Sequence, residues 1–123
     1  MKLHLERPGA THFITAFEPD YVQVNQTRHT GSLIVLRERI ETGWSPRSAA
    51  DLTAAHFEQL AGLGAEIVLL GTGRAQHFPH PRLTAALMRA RIGLEVMDTG
   101  AACRTYNILA GEGRNVAAAL ILE

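Results

Sequence analysis

Glu66-Ile67-Val68-Leu69-Leu70-Gly71-Thr72-Gly73-Arg74 is the stretch that decides the fold. Ile67–Leu70 is an unbroken apolar run with β-branched members, which fits a strand buried on both faces. A glycine-flanked turn follows at once. Downstream, the same kind of run returns at Leu94–Met97 and again at Val116–Leu122. The segments between these runs carry helical spacing. Strand–helix–strand units joined by short loops predict a central, mostly parallel sheet with right-handed crossovers.

Three helices are expected. Thr53 can cap the first over roughly Ala54–Leu63, with Phe57, Leu60, Ala61 and Gly64 on one face and Gly62 and Gly64 stopping it. The second follows Pro81, whose missing N–H costs nothing in a first turn. Its stripe is Leu83, Ala86, Leu87 and Ala90, and Gly93 is the expected terminator. Thr99 is the expected cap of the third, which runs to about Glu112 with Ala102, Tyr106, Leu109 and Gly113 aligned. Upstream of Pro46 the pattern differs. Phe13–Phe17, Tyr21–Val24 and Leu33–Leu36 are short β-prone runs, separated by turns at Glu18-Pro19-Asp20 and Asn25 to Gly31. This part reads as hairpins that add strands to the main sheet or form a second small one.

The chain of 123 residues fits one domain, β-rich over about 12–45 and alternating helix with strand over about 46–122. Twelve basic residues balance twelve acidic ones, so the excess that a nucleic-acid binder needs is missing. Lys2 is the only lysine, and a GC-rich genome accounts for eleven arginines better than a recognition role does. Cys103 is the single cysteine, which rules out an internal disulfide. Met1 to Pro8 lacks the apolar stretch of a signal peptide, and no apolar run approaches the length of a membrane span. The expectation is a cytoplasmic protein without membrane insertion.

If the strands at 67–70 and 94–97 are parallel, their exits share one edge, the usual ligand edge of open α/β sheets. Gly71-Thr72-Gly73-Arg74 and Asp98-Thr99-Gly100 then meet there. Glycines expose N–H groups that form anion nests, a helix N-terminus adds donors, and Arg74 adds a charge. The competing reading is a set of ordinary turn and cap residues. Gln76 stands where a dinucleotide motif needs its third glycine, and no P-loop occurs. His77 and His80 lack a neighbouring carboxylate or cysteine, so no metal is expected. No cofactor is expected either. Ser32, Ser45 and Ser48 lie in no nucleophile elbow. Cys103 falls at the flank of its helix stripe, where a half-buried packing role is the default. Tyr106 and Asn107 within the third helix, and Arg114 at its exit, are polar groups that need partners.

Taken together, Gly71-Thr72-Gly73, Ile92–Thr99, Ala102, Thr105–Leu109, Glu112-Gly113-Arg114 and Ala118–Ile121 resemble one known family. It is the small domain-of-unknown-function family that includes mitochondrial complex I assembly factor 3 and an adipogenesis-associated protein. The resemblance is densest over 66–122 and extends back to about residue 12. It implies a three-layer fold, with a central mixed sheet flanked by helices and an N-terminal β-hairpin element on one side. It also implies a non-catalytic interaction or assembly factor with a protein partner, respiratory-complex assembly intermediates among them. This chain shows no mitochondrial targeting extension, which fits a bacterial protein. The alternative is a small-ligand or anion-binding protein, or an enzyme, that uses the loop edge after strands 67–70 and 94–97. The candidate binding residues are Gly71, Thr72, Gly73, Arg74, Asp98, Thr99, Tyr106, Asn107 and Arg114, with no catalytic role assigned.

Overall fold

In the computed structural model, which describes residues 11–123, the chain opens with an antiparallel meander. Its strands are β1 (Ile14–Glu18), β2 (Tyr21–Val24) and β3 (Thr27–His29), ordered β1-β2-β3. Asn25 makes the second turn with a φ of 52°, a region that its short polar side chain tolerates. Its Oδ1 accepts from the Phe13 N–H at 3.0 Å, which ties the turn to the start of β1. The meander forms a sheet of its own. The next hairpin, β4 (Leu33–Leu36) and β5 (Ile40–Thr42), joins the central sheet instead. Both fates foreseen for the N-terminal hairpins are thus realised, one for each half of the segment.

The central sheet contains five strands in the order β5-β4-β8-β6-β7, where β6 is Ile67–Gly71, β7 Gly93–Met97 and β8 Val116–Leu120. β6 pairs in parallel with β7 on one side and with β8 on the other. The expected parallel relation of the strands at 67–70 and 94–97 therefore holds. β4 runs antiparallel to β8, so the sheet is mixed, and the reversal lies with the N-terminal hairpin. The strand expected over Val116–Leu122 keeps its ladder only as far as Leu120; Ile121 and Leu122 continue past it as buried chain outside the regular strand.

Side chains of β8 alternate between two cores, as the twofold pleat requires. Val116, Ala118 and Leu120 face a core shared with α3 (Thr99–Gly111) and with Ile14, Val22 and Val24 of the meander. Ala117, Ala119 and Ile121 face a core shared with α1 (Ala54–Ala61) and α2 (Ala85–Arg89), including Phe57, Leu60 and Leu87. The result is three layers: α1 and α2, the five-stranded sheet, then α3 with the small sheet. Each fully buried Phe or Leu here contributes about 1.5–3 kcal/mol.

The helices differ from expectation in detail. Thr53 precedes α1 as foreseen, with His56 taking the place of the usual Glu or Gln by accepting from the Thr53 N–H at 3.0 Å. The second helix is shorter. Pro81–Thr84 is a 3-10 turn, only Ala85–Arg89 is α-helical, and Ala90 of the expected stripe is exposed. Gly93 is not its terminator but opens β7. The chain leaves the helix at Arg91, whose φ of 58° lets the Ile92 N–H reach back to the Leu87 carbonyl at 3.0 Å. Asp98, not Thr99, caps α3, its Oδ1 accepting from the Ala101 N–H at 2.9 Å. The buried face of α3 is rotated toward Cys103 and Ala110, leaving Leu109 half-buried and Gly113 exposed.

Ala117, Ala118 and Ala119 are fully buried at the centre of the central strand, where larger side chains would drive the outer layers apart. Ala118→Leu is expected to destabilise the protein by about 1–3 kcal/mol through overpacking. Thermal or urea unfolding measures the effect, and an unchanged midpoint would show that this core has slack.

Candidate functional site

At the edge where β6 and β7 end, the expected loops do meet. Thr99 joins them. The residue is 1% exposed, and its hydroxyl accepts from the Gly73 N–H at 2.8 Å and donates to the Ile121 carbonyl at 2.9 Å. Gly71 has to be glycine here, because a Cβ would lie 2.9 Å from the Thr99 Cα. Gly73 adopts a φ of 98°, and a Cβ on it would meet the Glu123 carboxylate carbon at 2.7 Å. One side chain of α3 thus clasps the exits of β6 and β8.

Further donors at this edge are also engaged. The Thr72 N–H donates to the Met97 carbonyl and the Thr99 N–H to the Gly73 carbonyl, both at 2.9 Å. The Thr72 hydroxyl donates to the Ala75 carbonyl at 2.7 Å and accepts from the His77 N–H at 3.0 Å, folding the loop back on itself. The Arg74 N–H donates to Glu123 Oε1 at 3.2 Å, and its Nε lies 3.7 Å from the same oxygen. Gln76 Nε2 donates to the Val96 carbonyl at 2.9 Å, covering part of the free edge of β7. Glycine loops and a helix start are present, but the N–H groups of Thr72, Gly73, Arg74, Thr99 and Ala101 each have a partner inside the protein.

Tyr106, Asn107 and Arg114 are not part of that edge. The Tyr106 hydroxyl donates to the His12 carbonyl at 2.8 Å. Burial pushes its pKa well above the ordinary tyrosine value, with Arg37 opposing the rise. Asn107 accepts from the Ile14 N–H at 2.8 Å and donates to the Ile14 carbonyl at 2.7 Å, an amide-to-backbone clamp. Both residues fasten the meander to α3. Arg114 lies at the opposite edge, where its Nε is 3.9 Å from Glu66 Oε1 just ahead of β6. Cys103 is buried rather than at the flank. Burial raises its thiol pKa to about 12, with Asp98 adding to the rise and Arg104 opposing it, so the helix start does not activate it.

A second group at the same edge escaped the sequence reading. Ser32, buried at the head of β4, donates to the Pro46 carbonyl at 2.7 Å and accepts from the Leu122 N–H at 2.9 Å. Beside it, Trp44 Nε1 donates to Gln59 Oε1 at 3.0 Å, and the indole meets the His56 ring edge-on at 5.8 Å. Ser45 Oγ lies 2.8 Å from His56 Nε2. The only local cue was Thr53 standing three residues before His56. Nothing in the sequence says that residues 30–32, 43–47 and 122–123 share a cleft, yet they do. Among the described residues, no three His, Cys, Asp or Glu side chains gather as metal ligands, and no helix is long and apolar enough to cross a membrane.

Thr99→Val keeps the shape of the side chain and leaves the buried Gly73 N–H and Ile121 carbonyl without partners. A loss of about 1–3 kcal/mol for each unpaired group is expected in urea unfolding, with Thr99→Ser recovering most of it. A valine variant of native stability would mean that the clasp is dispensable. The Cys103 thiol, protonated at neutral pH, is expected to resist iodoacetamide in the folded protein and to label at the rate of unfolding. Rapid native-state alkylation would contradict its burial.

The profile of the family described as "Protein of unknown function (DUF498/DUF598)" matches residues 14–121. A mouse relative, NADH dehydrogenase [ubiquinone] 1 alpha subcomplex assembly factor 3, is 33% identical over 121 residues, covering 97% of this chain and 64% of its own length. The chain thus spans less than two thirds of that relative. Among solved structures, a Bordetella parapertussis protein is 40% identical with a TM-score of 0.88, covering 95% of this chain and all (100%) of its own. A Xanthomonas campestris protein is 38% identical with a TM-score of 0.81, covering 99% and 92%. By sequence and by fold, the chain belongs to the DUF498/DUF598 family.

Proposed function

We propose that this protein is a non-catalytic assembly factor that binds a protein partner in the cytoplasm, with intermediates of a respiratory NADH dehydrogenase as its partner class. The observation that carries this reading is the similarity to assembly factor 3, which runs across 97% of this chain. The domain shared with those relatives is therefore essentially the whole of this one. The internal use of donors at the β6–β7 edge supports the reading too. In the loops that would hold a substrate anion, the N–H groups of Thr72, Gly73, Arg74 and Thr99 bond within the fold itself.

The Ser45–His56 pair supports it from another side. His56 Nδ1 accepts from the Thr53 N–H, so the neutral ring carries its proton on Nε2. That nitrogen donates to Ser45 Oγ and cannot take its proton, which is the wrong polarity for a serine nucleophile.

The test is affinity purification of the tagged chain from its native host, followed by mass spectrometry of the co-purifying proteins. Enrichment of NADH dehydrogenase subunits or their assembly partners is the expected result. Recovery of the bait with nothing above a tag-only control would overturn the proposal.

A further inference from the structure

Between the exit of β8 and the loops that flank β4 and β5 lies a cleft of about 690 Å3, within the range of small-molecule sites. Its floor is apolar, made by the buried Trp44, Pro46 and Leu122. One wall carries Ser45 and Arg47, and the far rim carries Glu123.

The hydrogen bonds on that wall all run in one direction. The Thr53 N–H donates to His56 Nδ1 at 3.0 Å, and Nε2, which then holds the ring proton, donates to Ser45 Oγ at 2.8 Å. Ser45 Oγ is thereby used as an acceptor, and the hydroxyl hydrogen remains to be given to something else. A donor at the end of such a chain is polarised by the bonds behind it. Arg47 adds charge to the same wall. Its N–H donates to Asp51 Oδ2 at 2.9 Å, which fixes the backbone, while its guanidinium joins no ion pair among the described residues. Arg74, the other arginine near this rim, is occupied by Glu123.

We propose that the cleft binds a small organic monocarboxylate. Arg47 and the Ser45 hydroxyl hold its carboxylate, and its apolar body lies on Trp44, Pro46 and Leu122. A planar carboxylate suits the guanidinium fork. Charge decides against a phosphate. The wall offers one uncommitted cation, and a phosphate group near two negative charges would also face the Glu123 carboxylate on the rim.

Trp44 is the only tryptophan in the chain, so fluorescence excited at the red edge, where tyrosine does not absorb, reports on this cleft. The experiment titrates the full-length protein with phenylacetate and octanoate, with 2-phenylethanol as the uncharged counterpart of the first and inorganic phosphate as the second anion. A saturable change in Trp44 emission with at least one of the acids is expected, and a much weaker response or none with the alcohol and with phosphate. Arg47→Gln is expected to weaken the response about tenfold, the loss of one charge-assisted pairing, and Ser45→Ala to weaken it several-fold. Circular dichroism of both variants checks that these exposed positions leave the fold intact. The proposal is overturned if neither acid binds at millimolar concentration, or if phenylethanol or phosphate binds as tightly as the acids. It is overturned as well if the folded Arg47→Gln protein binds like the parent. None of these outcomes depends on whether a protein partner is found.

Discussion

Ile121 and Leu122 leave the central strand with their polar backbone atoms inside the protein, and the rest of the edge is arranged around that fact. A buried peptide group left unpaired costs as much as a lost hydrogen bond. The Ile121 carbonyl is met by the Thr99 hydroxyl and the Leu122 N–H by the Ser32 hydroxyl, while the Ile121 N–H donates to the Gly71 carbonyl at 2.9 Å. Each hydroxyl serves two backbone groups, since Thr99 also accepts from Gly73 and Ser32 also donates to Pro46. Two side chains of two residue types therefore hold together the ends of β6 and β8, the start of α3, the head of β4 and the loop after β5. Gly71 follows from the same constraint, because the approach of the Thr99 backbone leaves no room for a Cβ, and Gly73 from its φ of 98°.

The small sheet is fastened by the same economy. It packs Ile14, Val22 and Val24 into the α3 core, but its position along α3 is set by the clamp of Asn107 on Ile14 and the bond from Tyr106 to His12. An asparagine inside a helix is mildly unfavourable on its own. Here its amide supplies one donor and one acceptor to one strand residue, which offsets that cost and makes α3 the element that organises both sheets.

The functional picture divides along the same lines. The loops after β6 and β7, which resemble a ligand edge in outline, are closed by their own hydrogen bonds. The open space lies one strand further along, over β4 and β8, where a directed chain of donors ends in an exposed hydroxyl. The proposed assembly role rests on the relatives of the domain as a whole, and the cleft concerns a smaller chemistry carried on it. A scaffold that docks on other proteins has no need of such a cleft, so the two readings stand on separate observations.

From local pattern alone, the sequence determined the strands at Ile67–Leu70 and Leu94–Met97, the β-rich start and the three helical segments, and it made a parallel pair with a common edge the expectation. Hydrophobic period and short connections carry that information, since each is set by residues close together in the chain. Other features were decided only by tertiary structure. Thr99 and Asp98 are adjacent and equally good caps, and Thr99 was drawn inward because Gly73 and Ile121 needed its hydroxyl. Arg91 ended α2 ahead of Gly93 because Gly93 already lies in β7, paired with Ile67. Arg114 went to the far edge with Glu66 for the plain reason that α3 is thirteen residues long and returns the chain to the start of β6. The meeting of Ser45 and Arg47 with Leu122 and Glu123 depends on β8 lying between β4 and β6, and strand order is a property of long-range packing that no local spacing encodes.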